Sequence, residues 1–164
     1  MSAILKKAYI LLGSNIEPEV NIRQAIQQLG QIVQIDAISL TWETQAVGSP
    51  GPNFLNTAVG IATWLDVSGL KKNVLRPIEQ ELGRIRTNDK NAPRTIDLDI
   101  IVFDENICDE NLWQNVFIAL PMAELLPDLQ QPQTGLTLRQ VANRLQQDCF
   151  AIAHPEIMNL FKKA

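Results

Sequence analysis

Two aspartates, Asp97 and Asp99, interrupt the otherwise apolar strand-like stretch that follows Ala92-Pro93-Arg94-Thr95. In a strand, alternate residues face the same side, so the two carboxylates stand together on one sheet face. Such a pair repels itself and is costly to desolvate without a cation between its members. Hard oxygen ligands in this number suit Mg²⁺, which completes its octahedron with phosphate oxygens and water. The plain alternative is a strand with one solvent-facing polar side, and the aspartate pair by itself favours that reading. The residues feeding the strand shift the balance. Arg84, Arg86, Lys90 and Arg94 crowd into eleven positions with one acid, Asp89, among them, and arginine forks hold phosphate bidentately. Neither a G-x-x-x-x-G-K-S/T loop nor a kinase-type glycine loop is present, so phosphate chemistry here relies on side chains.

The elements that must position these groups can be read along the chain. Ala8 to Leu12 is a short apolar run closed by Gly13-Ser14-Asn15, a buried strand ending in a turn. Pro18 suits a first helical position, Val20, Ile22, Ala25, Ile26 and Leu29 recur at helical spacing, and Gly30 supplies the expected stop. Two β-rich segments, Ile32 to Val47 and Phe54 to Trp64, flank Gly48-Ser49-Pro50-Gly51-Pro52. Asp66 is an expected N-cap for a second helix that bends at Pro77 and stops at Gly83. Arg84 to Pro93 reads as an exposed loop, and Thr95 to Phe103 as a strand. The order strand, helix, strand, strand, helix, strand is the split βαβ arrangement of ferredoxin-like domains, an α+β sheet with helices on one face. Further helices are expected around Ala123 to Leu126, from Leu136 to Gln146, and after Pro155.

Composition narrows the function classes. With 164 residues, 46% of them hydrophobic, the chain suits a single domain with one core. A net charge of −4 argues against broad nucleic-acid binding. No run of about 18 apolar residues marks a membrane span, and the start lacks a signal-peptide pattern, so a cytoplasmic location is expected. Cys108 and Cys149 sit outside any metal-ligand spacing and read as apolar fillers.

The chain resembles the 6-hydroxymethyl-7,8-dihydropterin pyrophosphokinase family of folate biosynthesis. The likeness is carried by the P-R-T-x-D-L-D-I pattern from Pro93 to Ile100 and by Tyr9-Ile10-Leu11-Leu12-Gly13-Ser14-Asn15. Phe54-Leu55-Asn56-Thr57-Ala58-Val59, Glu79 with Gly83-Arg84-Ile85-Arg86, and Phe117 to Leu125 extend it. The resemblance implies transfer of pyrophosphate from ATP to the hydroxymethyl dihydropterin. It implies Asp97 and Asp99 as ligands of two Mg²⁺ ions, and Arg84, Arg86, Lys90 and Arg94 as partners of ATP phosphates. Arg86 and Arg94 would join the aspartates as catalytic groups. Glu79 and Ile100 would help seat the nucleotide. Phe54 and Phe117 would sandwich the pterin, with Asn56 and the backbone of Thr44 and Val47 reading its edge. ATP and a dihydropterin are the expected partners, and the chain is expected to be a monomer or weak homodimer.

Two departures from the family pattern stand out. Lys90-Asn91-Ala92 replaces an expected Arg-Trp-Gly, and only Trp113-Gln114-Asn115-Val116 lies where the family carries a Pro-His segment contacting ATP. Trp113 is a candidate adenine-stacking residue, and His154, the lone histidine, is expected at the surface or capping a helix. The alternatives to an active pyrophosphokinase are a pterin- or nucleotide-binding homologue with weakened transfer, and an enzyme of this scaffold using another nucleotide or acceptor.

Overall fold

The computed structural model describes residues 4–48 and 50–157. Seven antiparallel strands form one sheet: β1 (Lys6–Ser14), β2 (Gln34–Ile38), β3 (Thr41–Thr44), β4 (Phe54–Thr63), β5 (Asp97–Phe103), β6 (Asn106–Ile107) and β7 (Ala151–His154). Their spatial order is β6-β5-β1-β4-β3-β7, with β2 also pairing to β4. β4 is the spine. It pairs with β1, β2 and β3, and nine of its ten residues are buried, as a strand covered on both faces requires.

The expected α+β, ferredoxin-like split βαβ core is present, but helices pack on both faces rather than one. Ile10, Leu12, Leu98 and Ile100 pack with α1 (Pro18–Ile32), α2 (Val67–Leu70) and α3 (Arg76–Glu81). Leu11, Ala58 and Ile101 pack with α4 (Val116–Leu125) and α5 (Leu138–Asp148) on the other face. The C-terminal third therefore supplies a second layer, without which the opposite side chains of β1 and β5 would lie in water.

Local chemistry explains where these elements depart from expectation. Gly30 does not stop α1, which runs to Ile32; a glycine inside a helix costs only about 1 kcal/mol, which the buried Ile22, Ala25, Ile26 and Leu29 offset. Asp66 caps α2 as expected, its carboxylate accepting from Gly69 N–H at 2.7 Å. A π-helical turn, Lys71–Leu75, joins α2 to α3 just before Pro77; proline has no N–H to give the Asn73 carbonyl and its ring crowds that turn. Gly83, at φ 86°, ends the segment.

The segment 32–47 splits into β2 and β3 at Ser39, whose N–H and hydroxyl both bond to the Ala58 backbone. The helix expected around Ala123 is the end of α4, which starts seven residues earlier and holds Pro121 within it. α5 opens on a reciprocal capping box between Thr137 and Gln140. Residues 155–157 are helical, and the rest of the helix expected after Pro155 lies outside the described residues. Cys108 and Cys149 are exposed rather than core fillers, since both sit where strands or helices give way to turns. No described helix is long and apolar enough to cross a membrane.

Candidate active site

Strand register builds the site floor. Gly13 on β1 lies opposite Asn56 on β4 and opposite Asp97 on β5, and Leu11 lies opposite Asp99. Residues opposite one another in a sheet share a face, so Asn56, Gly13 and Asp97 form one row. Side chains from this face, from β3 and from the start of α4 enclose a cavity of about 150 Å³. Its walls include Thr44, Val47, Phe54, Asn56, Lys90, Arg94, Asp97, Asp99 and Phe117. Nine of the residues expected to act are thus gathered in one place. A larger groove at the far end of the sheet, by Leu125 to Leu129, contains none of them.

The groups on one side of the cavity are held by bonds among themselves. Asn56 is buried, and its side-chain N–H₂ donates to Thr44 Oγ1 at 2.8 Å and to the Trp42 carbonyl at 3.4 Å. This leaves its oxygen toward Gly13, where a Cβ would lie only 3.3 Å from it. Glycine here keeps the floor thin enough for a flat ring to approach the backbone. Phe54 and Phe117 stand on β4 and α4, both within the cavity wall.

The other half is a charged cluster. Arg94 Nη1 donates to Asp97 Oδ2 at 2.8 Å, its guanidinium lies 5.8 Å from the Phe54 ring centre, and Nη2 donates to the Lys90 carbonyl. Beneath them Glu79, 3% exposed, accepts from Leu98 N–H and from Arg86 Nη2, each at 2.9 Å. Burial pushes the Glu79 carboxyl up, and the nearby Asp97 adds to this. Asp97 itself is held below the ordinary carboxylate range: burial opposes ionisation, but the Glu79 carboxyl and the Arg94 guanidinium outweigh it. Asp99, with no arginine bond of its own, is pushed up to about 7 by the surrounding protein and by the Asp97 and Glu79 charges. Its side chain is open to water along the cavity, so this shift is a matter of crowded negative charge in a concave wall as much as of burial. Such a carboxylate pair could hold a cation. Among the described residues no third His, Cys, Asp or Glu joins them, so a bound cation must complete its shell with water and substrate oxygens, the habit of Mg²⁺.

Residues 9–127 match the model of the 7,8-dihydro-6-hydroxymethylpterin-pyrophosphokinase (HPPK) family. The chain belongs to this family. Its reaction is the transfer of pyrophosphate from ATP to hydroxymethyldihydropterin in folate synthesis. Two curated proteins named 2-amino-4-hydroxy-6-hydroxymethyldihydropteridine pyrophosphokinase are similar along most of their length. That of Bacillus subtilis is 37% identical over 150 residues, 84% of this chain and 89% of the relative. That of Synechocystis sp. is 31% identical over 156 residues, 88% of this chain and 78% of the relative. In fold the chain is like the Plasmodium falciparum HPPK-DHPS protein crystallised with pterin and p-hydrobenzoate, with a TM-score of 0.68 at 12% identity. That match covers 89% of this chain and 45% of the solved one, so this HPPK-family chain spans under half the length of that protein.

Four expected site residues stand outside the cavity wall of this HPPK-family chain. The Ile100 side chain lies in the core, 4% exposed and packed on the α1 face, opposite Asp97 and Asp99, so a nucleotide contact here would fall to its backbone. Glu79 lies under the strand, tying Arg86 to β5, and does not reach the cavity. Arg84 and Arg86 flank the charged cluster without lining the cavity; the Arg84 Nε is buried with no partner, and Arg86 is half-exposed. Trp113 is corrected: it is 7% exposed within the α4–α5 core, where it cannot stack on a base. His154 stands half-buried just before the helical residues 155–157. It lies on β7 and bonds Glu43 at 2.8 Å and Glu156 at 2.7 Å. Leu11, Gly13, Gln45 and Asn91 line the cavity unforeseen. Gly13 and Leu11 carried a signal in the opening motif, but Gln45 and Asn91 sit in loops whose patterns give none.

Proposed function

We propose that the chain performs this transfer as an Mg²⁺-dependent enzyme, with the dihydropterin between Phe54 and Phe117 and the ATP phosphates along Lys90, Arg94 and the two aspartates. The observation that carries the reading is the meeting of Asn56, Arg94, Asp97 and Asp99 around one cavity. Asp97 and Asp99 would hold two Mg²⁺ ions, which supply charge neutralisation at the phosphoryl oxygens. Asn56, its N–H₂ already given to Thr44 and Trp42, offers its oxygen as an acceptor at the pterin edge. The aromatic pair aligns the hydroxymethyl oxygen with the β-phosphorus; the new O–P bond forms in line as the bond to the AMP oxygen breaks, and the hydroxyl proton passes to water. Arg94, between the Phe54 ring and Asp97, faces the charge that shifts in that step.

A second reading, a binding homologue with weakened transfer, draws on two features. Lys90 keeps a charge but not an arginine fork, and Trp113, in the shortened segment, is committed to the core. Its location is proposed as cytoplasmic and its form as a monomer or weak homodimer, with no nucleic-acid partner. The experiment that separates the readings measures AMP release with Mg²⁺ and ATP, with and without 6-hydroxymethyl-7,8-dihydropterin. Pterin-dependent AMP formation is expected; ATP and pterin binding without AMP would leave the homologue.

A further inference from the structure

The buried carboxamide of Asn15 has no part in the chemistry above. Asn15 follows β1 and is 4% exposed, yet it does not line the cavity. Its Oδ1 accepts the backbone N–H of Arg94 at 2.8 Å, and its Nδ2 donates to the Pro52 carbonyl at 3.3 Å. Its own backbone N–H donates to the Arg94 carbonyl at 3.1 Å. The partners set the orientation of the amide, because an N–H only donates and a carbonyl only accepts.

Arg94 and Pro52 belong to different loops. One leads from α3 into β5 and carries Lys90 and Arg94. The other leads from β3 into β4 and carries Gln45 and Val47. The loops also touch elsewhere along the same seam. At Gly48, φ 87°, a Cβ would collide with the Asn91 side chain, and at Gly51 one would meet Asn15 Nδ2 and Pro93 Cγ at 3.9 Å each. Asn15 is the buried side chain that bonds to both loops at once.

We propose that Asn15 is a positioning residue that couples the pterin and nucleotide halves of the site by holding their two loops in one register. The proposal rests on the pyrophosphokinase reading for the identity of the two halves. A ligand on either side orders the loop it touches. Through Asn15 the opposite loop is then ordered in advance, so the second ligand loses less conformational freedom on binding. The coupling is reciprocal: each ligand raises affinity for the other by the same factor.

The test uses titration calorimetry at pH 8 with 6-hydroxymethylpterin, alone and with Mg²⁺ and α,β-methylene-ATP, which cannot be cleaved at the bond in question. In the parent the nucleotide should tighten pterin binding at least five-fold. Asn15→Asp keeps an acceptor for Arg94 but turns a second carboxylate oxygen toward the Pro52 carbonyl. It should bring that factor below two-fold while the nucleotide affinity alone changes less than three-fold. Asn15→Ser, which satisfies one partner at most, should do the same and serves if the aspartate variant is unstable. A residue that only supports the fold would weaken both ligands and lower the melting temperature with the factor unchanged, and that result overturns the proposal. So does independent binding in the parent. AMP release by the parent is read separately: coupling lost at Asn15 in a chain that releases no AMP supports the proposal while removing the enzyme reading. Failure of the parent to bind either ligand removes both.

Discussion

The two halves of the cavity are built by different means. Apart from the β3–β4 loop, the side proposed for the pterin is made of regular structure: Gly13, Asn56 and Thr44 are fixed by strand register and mutual hydrogen bonds, and Phe117 by a helix packed against the sheet. The side proposed for the phosphates is an eleven-residue stretch, 84–94, with no helix or strand, whose arginines fold back on the protein's own acceptors. Backbone held in a sheet has already given up its conformational freedom, whereas a loop loses it when ligand arrives. On the proposed assignment the sheet and helix part of the pterin half is therefore preformed, its β3–β4 loop remains to be ordered, and the nucleotide half would exchange internal ion pairs for phosphate. Asp97 and Asp99 stand at the boundary, on the rigid strand but within reach of the loop.

Substitutions at that boundary should have the largest effect. Asp97→Asn and Asp99→Asn should each lower Mg²⁺-dependent turnover about 100-fold or more, the scale of losing a charge-stabilising group at a phosphoryl centre, with far-UV circular dichroism unchanged. Normal Mg²⁺ dependence in both would erase the distinction between the halves. On the loop side, Arg94→Ala should reduce kcat about ten-fold or more, equivalent to roughly 1.4 kcal/mol of transition-state stabilisation. A change confined to KM would mean that Arg94 merely binds. On the rigid side, Phe117→Ala should raise the pterin KM about ten-fold through lost stacking, leaving kcat and the ATP KM nearly as they were; an equal change for ATP would show the halves to be one.

Titration sharpens the boundary further. Asp99, pushed up to about 7, must lose its proton before it binds a cation. The half-saturating Mg²⁺ concentration should accordingly rise several-fold as pH falls from 8 to 6. Without metal the sign for stability is opposite to that of an ordinary ion-paired acid. A raised carboxyl adds most to stability below its unfolded value, and that contribution is lost as pH rises through about 7. Asp99→Asn should thus melt about 2–4 °C above the metal-free parent at pH 8, after allowing for water screening, and no higher at pH 4. The smallest effect is expected away from both halves. Partial burial disfavours the charged form of His154, but the Glu156 and Glu43 carboxylates outweigh it and raise its pKa. The stability it adds is present below the unfolded histidine value and fades as pH rises through the folded one. His154→Gln should lower the melting temperature by about 2 °C at pH 5.5 and leave it unchanged at pH 9.

What could be read from the chain follows the same division. The aspartate pair was legible because strand alternation is a local rule, and the register with Gly13 and Asn56 completed it. That rule also sends the Ile100 side chain to the opposite face. Glu79 was legible as important but not as a buried clamp, since its partners, Leu98 N–H and Arg86, meet it only in the fold. The start of α4 was missed because its apolar residues cover every side of the helix, leaving no periodic stripe. β7 and the His154 ion pairs were missed because a four-residue edge strand carries too short a pattern to read. Asn15 had a place in a motif and no visible task, since its partners lie 37 and 79 residues away.

Gly13 has a bearing on inhibition. On the pose proposed above, a competitor built on the pterin ring would rest on the same bare backbone as the substrate, where an added carbon would stand 3.3 Å from Asn56 Oδ1. The usual escape from an inhibitor is to enlarge a side chain beneath it. On that pose even a methyl group would crowd the substrate too, so resistance is expected at the cavity's edges, among Gln45, Val47 and Asn91, rather than at its base.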